Sequence, residues 1–482
     1  MAESLKNKTV KGTIWSSLER FSVQGIQFIV MVVMARMLTP EDYGLVGMLA
    51  IFIAVSQSLI DSGFSQALIR KQDRSELDNS TVFYFNIGVG IFLYISLFLC
   101  APLIAEFYNE PILKPITRVI GLSLVFNSLA VVQRALLTIR LDFKTQAKAS
   151  LVGAIISGGI GIGMAYYGFG VWSIVWQQIS NLGIVTILLW ILSKWKPIWG
   201  YSWNSFKILF NFGSKLLASG LLETLYRNLY LILIGKVFKA SDLGYYTRAH
   251  QFTDFASSNI GGIIQRVTYP VLCSIQDDDQ RLRDVYRKLL KNSTFIVFPL
   301  MMGLAAIAHP MILAFLNEKW IFSAVLIQIL CFSQMWYPVH SLNLNLLQVK
   351  GRSDLFLRLE IIKKIIGISI ILVTIPFGLL AMCWGAVVNS IIALAINTYY
   401  TGKLIQLHFW RQMADILPTL VLSMSVGAIV YLSISYISIS SWILMIIGII
   451  EGILLYVTIA KVFKFQELSE LLSIIRKNNN IK

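Results

Sequence analysis

Charge is scarce in this chain of 482 residues: Asp, Glu, Lys and Arg together make up 14%, against 56% hydrophobic residues. A soluble globular domain carries roughly 25% charged residues to cover its surface, so that class is excluded. Cysteine is scarcer still. Cys100, Cys273, Cys331 and Cys383 lack the spacing of a zinc site or a disulfide framework, and read as small apolar packing residues. The sequence also lacks a Gly-Lys-Ser/Thr phosphate loop, a metal-spaced His/Cys cluster, a Ser-His-Asp arrangement and any polar loop long enough to fold separately. These absences argue against ATP hydrolysis and hydrolytic catalysis, and no cofactor is expected. His309 and His340 have no carboxylate at ligand spacing and read as packing or interfacial residues.

What the chain has is apolar length. Stretches able to cross a bilayer, each of roughly 20 residues, recur almost to the end. Every backbone amide in lipid must be satisfied internally, and the two-residue alternation of barrel strands is absent, so these stretches are expected to be helices. About fourteen spans are expected, near 13–38, 42–69, 79–107, 113–139, 145–168, 170–193, 207–238, 242–270, 289–316, 321–348, 356–376, 379–405, 414–436 and 440–463. The first run carries Glu19 and Arg20 and lacks a small-residue cleavage site, so it is expected to remain as an uncleaved span rather than a signal peptide.

The net charge of +16 is explained by the positive-inside rule rather than by nucleic acid. Lys6, Lys8 and Lys11 precede the first span; Arg70, Lys71 and Arg74 follow the second; Arg281, Arg283, Arg287, Lys288 and Lys291 follow the eighth. Odd-numbered connections such as "YGFGV" and "PFGLL" are nearly free of cations. Both termini are therefore expected in the cytoplasm.

A repeat can be read by eye. "RMLTPEDYG" at 36–44 returns as "KVFKASDLG" at 236–244, 200 residues on, and "APLIAEFYNE" at 101–110 returns as "HPMILAFLNE" at 309–318, 208 residues on. The same displacement of 208 pairs "FGVWSIVW" at 169–176 with "FGLLAMCW" at 377–384. One copy begins at the first span and the next at the seventh, so the copies lie the same way up. The expected architecture is an all-α integral membrane protein with two parallel six-helix repeats around a central cavity, plus two appended helices. Its expected parts are an N-lobe at 1–206, a C-lobe at 207–405, the appended spans at 406–463 and a cytoplasmic amphipathic tail at 464–482. In the first repeat's turn, Thr39 and Pro40 suit a helix start; the second has Lys239 and Ala240 there and is expected to be capped by Ser241.

Charge within a membrane is costly, so deep ionisable residues mark candidate sites. Arg36, Lys236, Lys239 and Arg118 are near enough to the outer face to snorkel. Arg20, Arg134, Arg227, Arg248 and Arg266 lie deeper, with Glu19, Asp61, Glu223 and Asp254 as the deep carboxylates. Glu223 and Arg227 have the spacing of a helical ion pair. The excess of arginine favours an anionic substrate, because the guanidinium offers phosphate both charge and paired donors. The four carboxylates are candidate carriers for H⁺ or Na⁺.

In "RMLTPEDYG" at 36–44, "LTIRLDFKTQAKAS" at 137–150, "DLGYYTRAHQFTDF" at 242–255, "RVTYPVLCSIQDDDQRLRDVYRK" at 266–288 and "KGRSDL" at 350–355, the chain resembles the polysaccharide transporters of bacteria. These belong to the multidrug/oligosaccharidyl-lipid/polysaccharide exporter superfamily, and the resemblance is to the branch handling colanic-acid-like and teichuronic-acid-like polymers. It implies a flippase, not an enzyme, that carries undecaprenyl-diphosphate-linked oligosaccharide repeat units across the cytoplasmic membrane by alternating access. It also implies membrane lipids, a polysaccharide polymerase and chain-length machinery as partners. A cation-coupled multidrug antiporter would suit a cavity of carboxylates and aromatics better, and a membrane polymerase or ligase would carry a sizeable outer loop.

Overall fold

The computed structural model describes residues 21–61, 63–71 and 73–479, and these are built from helices with no strand among them. They form two compact units, one ending at Gly244 and the other beginning at Tyr245. Ten helical stretches among the described residues are long and apolar enough to cross a membrane. The chain is a multi-pass membrane protein. The remaining expected spans, 13–38, 207–238, 242–270 and 356–376, are largely helical where they are described but are not among the ten.

The first unit contains α1 (Phe21–Met37), α2 (Pro40–Asp61), α3 (Phe64–Arg70), α4 (Glu76–Tyr108), α5 (Leu113–Ile120), α6 (Leu122–Ile139), α7 (Phe143–Tyr166), α8 (Val171–Ser193), α9 (Trp203–Arg227) and α10 (Leu229–Val237), and α11 (Ala240–Cys273) begins in it. Local chemistry sets the helix starts. At α4, Ser75 Oγ accepts from the Asp78 amide at 3.2 Å while Asp78 Oδ2 accepts from the Ser75 amide at 2.7 Å, a reciprocal cap. At α7, Asp142 accepts from the Thr145 amide. Small residues then set the packing. A Cβ on Gly153 would lie 2.4 Å from Val185 of α8, and one on Gly158 would lie 2.5 Å from Val30 of α1, so α7 approaches both neighbours through a face with little side chain.

Several expected spans are two helices rather than one. The span 42–69 breaks before Gly63, whose φ of +69° is left-handed and whose missing Cβ would sit 2.7 Å from the Gly213 carbonyl of α9. The span 207–238 breaks at Asn228, whose side-chain amide donates to the Thr224 carbonyl at 2.8 Å. The Asn228 backbone amide reaches the same carbonyl at 3.2 Å, so both donors of this residue are held at the helix end.

The second unit contains the rest of α11, then α12 (Asp279–Ala306), α13 (Ala308–Phe315), α14 (Ile321–Gln334), α15 (Tyr337–Val349), α16 (Ser353–Thr374), α17 (Leu379–Ile405), α18 (Phe409–Ser435), α19 (Ser441–Val462) and α20 (Gln466–Asn479). Arg287 of α12 grips Asp415 of α18 with two bonds of 2.7 Å, and Lys291 adds a third contact at 3.3 Å. The two cations offset the desolvation of a carboxylate that is only 7% exposed. Helix α20 covers most of the expected tail and docks through Glu470, which accepts from Lys288 at 2.7 Å and Asn292 at 3.0 Å. Burial raises the Glu470 carboxyl, but those two donors outweigh it and hold the group below the usual range. Cys331 and Cys383 are buried, Cys100 is exposed, and none of the four cysteines is in a disulfide.

Candidate functional site

Of the nine deep charges singled out in the sequence, Glu19 and Arg20 lie outside the described residues. Arg266 is on α11, but its side chain is outside the described set. The other six can be placed. Asp61 is the last residue of α2 and is exposed, and Arg134 of α6 is near enough for its charge to be felt there. Arg134 is half-buried, and its own carbonyl accepts from Thr138 Oγ1 at 2.9 Å and from Gln146 at 3.4 Å. Helix α9 packs beside α2, with Gly213 against Gly63 and Gly220 against Ser58. This brings Glu223 and Arg227, both exposed, into the same unit.

The expected ion pair between Glu223 and Arg227 is absent among the described residues. Both side chains are exposed, and an exposed pair gains too little to fix two long side chains in one geometry.

Arg248 has a different environment from the one its depth suggested. It is 6% exposed, donates through Nη1 to Gln251 at 2.6 Å, and holds its guanidinium carbon 6.0 Å from the ring of the fully buried Trp320. The Tyr245 ring meets the same indole edge-on, and Ser323 Oγ donates to the Tyr245 carbonyl at 3.1 Å. A guanidinium packed on an aromatic face anchors α11 to the segment before α14. His250 turns to another face of α11, with its ring centroid 5.8 Å from that of Tyr246, and Asp254 is half-buried.

Sequence reasoning missed a polar track in the second unit. Thr401 Oγ1 donates to Asn343 Oδ1 at 2.5 Å, Tyr286 and Asn343 both reach Gln412 Oε1 at 3.4 Å, and His340 lies between Ser390 at 3.1 Å and Asn397 at 3.2 Å. Uncharged polar residues in apolar helices leave no charge signal, although Asn343, Asn397 and Gln412 could have been marked as interhelical hydrogen-bonding groups. Among the described residues no group of three His, Cys, Asp or Glu could hold a metal ion.

Residues 33–325 match the family described as "Polysaccharide biosynthesis protein". Full-length relatives include the teichuronic acid biosynthesis protein TuaB of Bacillus subtilis (strain 168), 25% identical, covering 94% of this chain and 95% of that protein. The lipopolysaccharide biosynthesis protein WzxC of Escherichia coli (strain K12) is also 25% identical, covering 88% and 89%. Among solved structures, the lipid II flippase MurJ in an inward closed conformation superposes with a TM-score of 0.76 at 15% identity, over 93% of this chain and 98% of that one. An inward-facing multidrug resistance MATE family transporter gives 0.61 at 14% identity, over 80% and 96%. These likenesses show a shared fold.

Proposed function

The chain belongs to the polysaccharide biosynthesis protein family, and from that premise we propose that it is a flippase for undecaprenyl-diphosphate-linked oligosaccharide repeat units. The observation that carries this reading is coverage. Relatives named for teichuronic acid and lipopolysaccharide biosynthesis align along nearly their whole length, and a relative from Rhizobium meliloti (strain 1021) is named a succinoglycan biosynthesis transport protein.

The physical task fits the residues. A diphosphate and its sugars cannot cross hydrocarbon unaided, because each polar group would lose its water without a partner. A wet path between helices is required. Spans that carry charge are the natural walls of such a path, since charge facing lipid is costly. In this reading the fourteen spans form two parallel six-helix repeats plus two appended helices, and the repeats alternate access to an electropositive cavity.

Arg134 and Arg227 bind the diphosphate, together with Arg20 and Arg266, while Arg248 anchors α11. Asp61, whose opposing charge is Arg134, would exchange that arginine with the phosphate. Coupling to H⁺ or Na⁺ runs through Asp61, Glu19, Glu223 or Asp254. The protein is not an enzyme; it sits in the cytoplasmic membrane with both termini inside, and hands its cargo to a polymerase with its chain-length machinery. Arg134→Ala and Arg227→Ala are expected to abolish surface polysaccharide while membrane abundance stays normal. Normal polymer in both variants would remove the electropositive-cavity mechanism.

A further inference from the structure

The first turns of α2 and α11 cross backbone on backbone within the first unit. A Cβ on Gly44 would lie 1.7 Å from the Ala240 carbonyl oxygen and 2.4 Å from its carbon. A Cβ on Gly244 would lie 1.9 Å from the Pro40 carbonyl oxygen and 2.7 Å from its carbon. Adding 200 to Pro40 and Gly44 gives Ala240 and Gly244, so each turn presents the same carbonyl and the same glycine to the other. That reciprocity is the mark of a local two-fold relation, in which residue i meets j and j meets i.

The crossing is also sealed. The place of a Cβ on Gly235 is 3.0 Å from Met48, 3.1 Å from Tyr108 and 3.2 Å from Leu243, and Met48 and Leu243 are 1% and 0% exposed. Lys236 donates to the Phe107 carbonyl and lies 4.7 Å from the Phe107 ring centroid. At the crossing itself, each helix start is capped from within by its own carboxylate, Asp42 bonding Thr39 and Asp242 bonding Lys239. Backbone contact without interlocking side chains can be tight when shut and still separate cleanly.

We propose that this glycine crossing is the outer closure of the substrate path. Gly44 and Gly244 are the residues that let it shut, and the proposal rests on the flippase reading for the two repeats and their orientation. Transport then requires the crossing to part, and a single methyl group at either glycine wedges it open.

The test uses the full-length protein in right-side-out membrane vesicles, with Leu243→Cys as a reporter and a membrane-impermeant maleimide as the probe. Labelling is read above that of the unsubstituted protein. Adding Gly44→Ala is expected to raise the labelling rate about tenfold, the shift expected when overpacking disfavours one of two states. Unchanged labelling at normal abundance would overturn the proposal. Should Gly44→Ala fail to fold, Leu243→Cys alone is labelled in cells with and without the enzymes that make the lipid-linked precursor. Faster labelling during export supports the closure, whereas an exporting Leu243→Cys protein that never labels, or labels only from the inner side, overturns it. The labelling reads the crossing whatever the cargo is, so failure to flip lipid-linked sugar in liposomes would remove the flippase reading and leave the two outcomes distinguishable.

Discussion

The turns at Thr39–Gly44 and Lys239–Gly244 begin helices in the same way but are held differently. In the first, Asp42 Oδ2 accepts from the Thr39 amide at 2.9 Å and from the Thr39 hydroxyl at 2.8 Å, while that hydroxyl accepts from the Asp42 amide at 3.3 Å. In the second, Asp242 Oδ2 accepts from the Lys239 amide at 3.3 Å, and the Asp242 amide turns to the Lys239 carbonyl at 3.0 Å. Lysine has no acceptor, so the reciprocal half of the cap is lost. Ser241, expected to cap this turn, does not; the aspartate one residue on supplies the side-chain bond. What both turns keep is the aspartate that fixes the helix start and the glycine that lets the other backbone approach.

This comparison can be broken in order of size. Gly44→Ala and Gly244→Ala should have equal and large effects, because the contact is reciprocal. Export of surface polymer is expected to fall about tenfold in each, measured at matched protein abundance; a large effect at only one glycine would break the symmetry. Asp42→Ala should cost about 1–2 kcal/mol of stability and Asp242→Ala about half as much, since only the first carboxylate holds two donors. Thermal midpoints of the purified proteins in detergent check this, and equal losses would erase the distinction. The smallest change is a gain: Lys239→Thr should restore the missing acceptor and raise stability by roughly 0.5–1 kcal/mol.

Helix positions were legible where turn chemistry and apolar length agree. Helix α17 coincides with the expected 379–405 and follows the left-handed Gly378, and α8 begins just after Gly170 at Val171. Breaks inside spans were not legible. The apolar run continues through Gly121, Asn228 and Ile307, and only tertiary contacts decide whether a helix stops there. Helix α12 begins at Asp279, well before the expected 289, because its charged first turns extend the helix beyond the apolar run, with Asp278 as cap.

The candidate site divides along the same line. Depth in the sequence marked Arg134 and Arg248 alike. Composition says that a charge is buried but not which neighbour it meets, and here Arg134 lies within reach of the Asp61 charge while Arg248 lies against Trp320. The docked tail shows the same limit. Its helical spacing was visible, but its bond to α12 depends on Glu470 meeting Lys288 and Asn292 from a distant part of the chain.

Reconstitution of the purified protein in liposomes carrying defined undecaprenyl-diphosphate-linked oligosaccharides, under an imposed pH or sodium gradient, tests the central claim most directly. The account predicts that the oligosaccharide appears on the opposite leaflet when the protein is present, and that Arg134→Ala abolishes the movement. Liposomes in which no lipid-linked sugar moves, while a cationic dye is exchanged for the coupling ion, would contradict it.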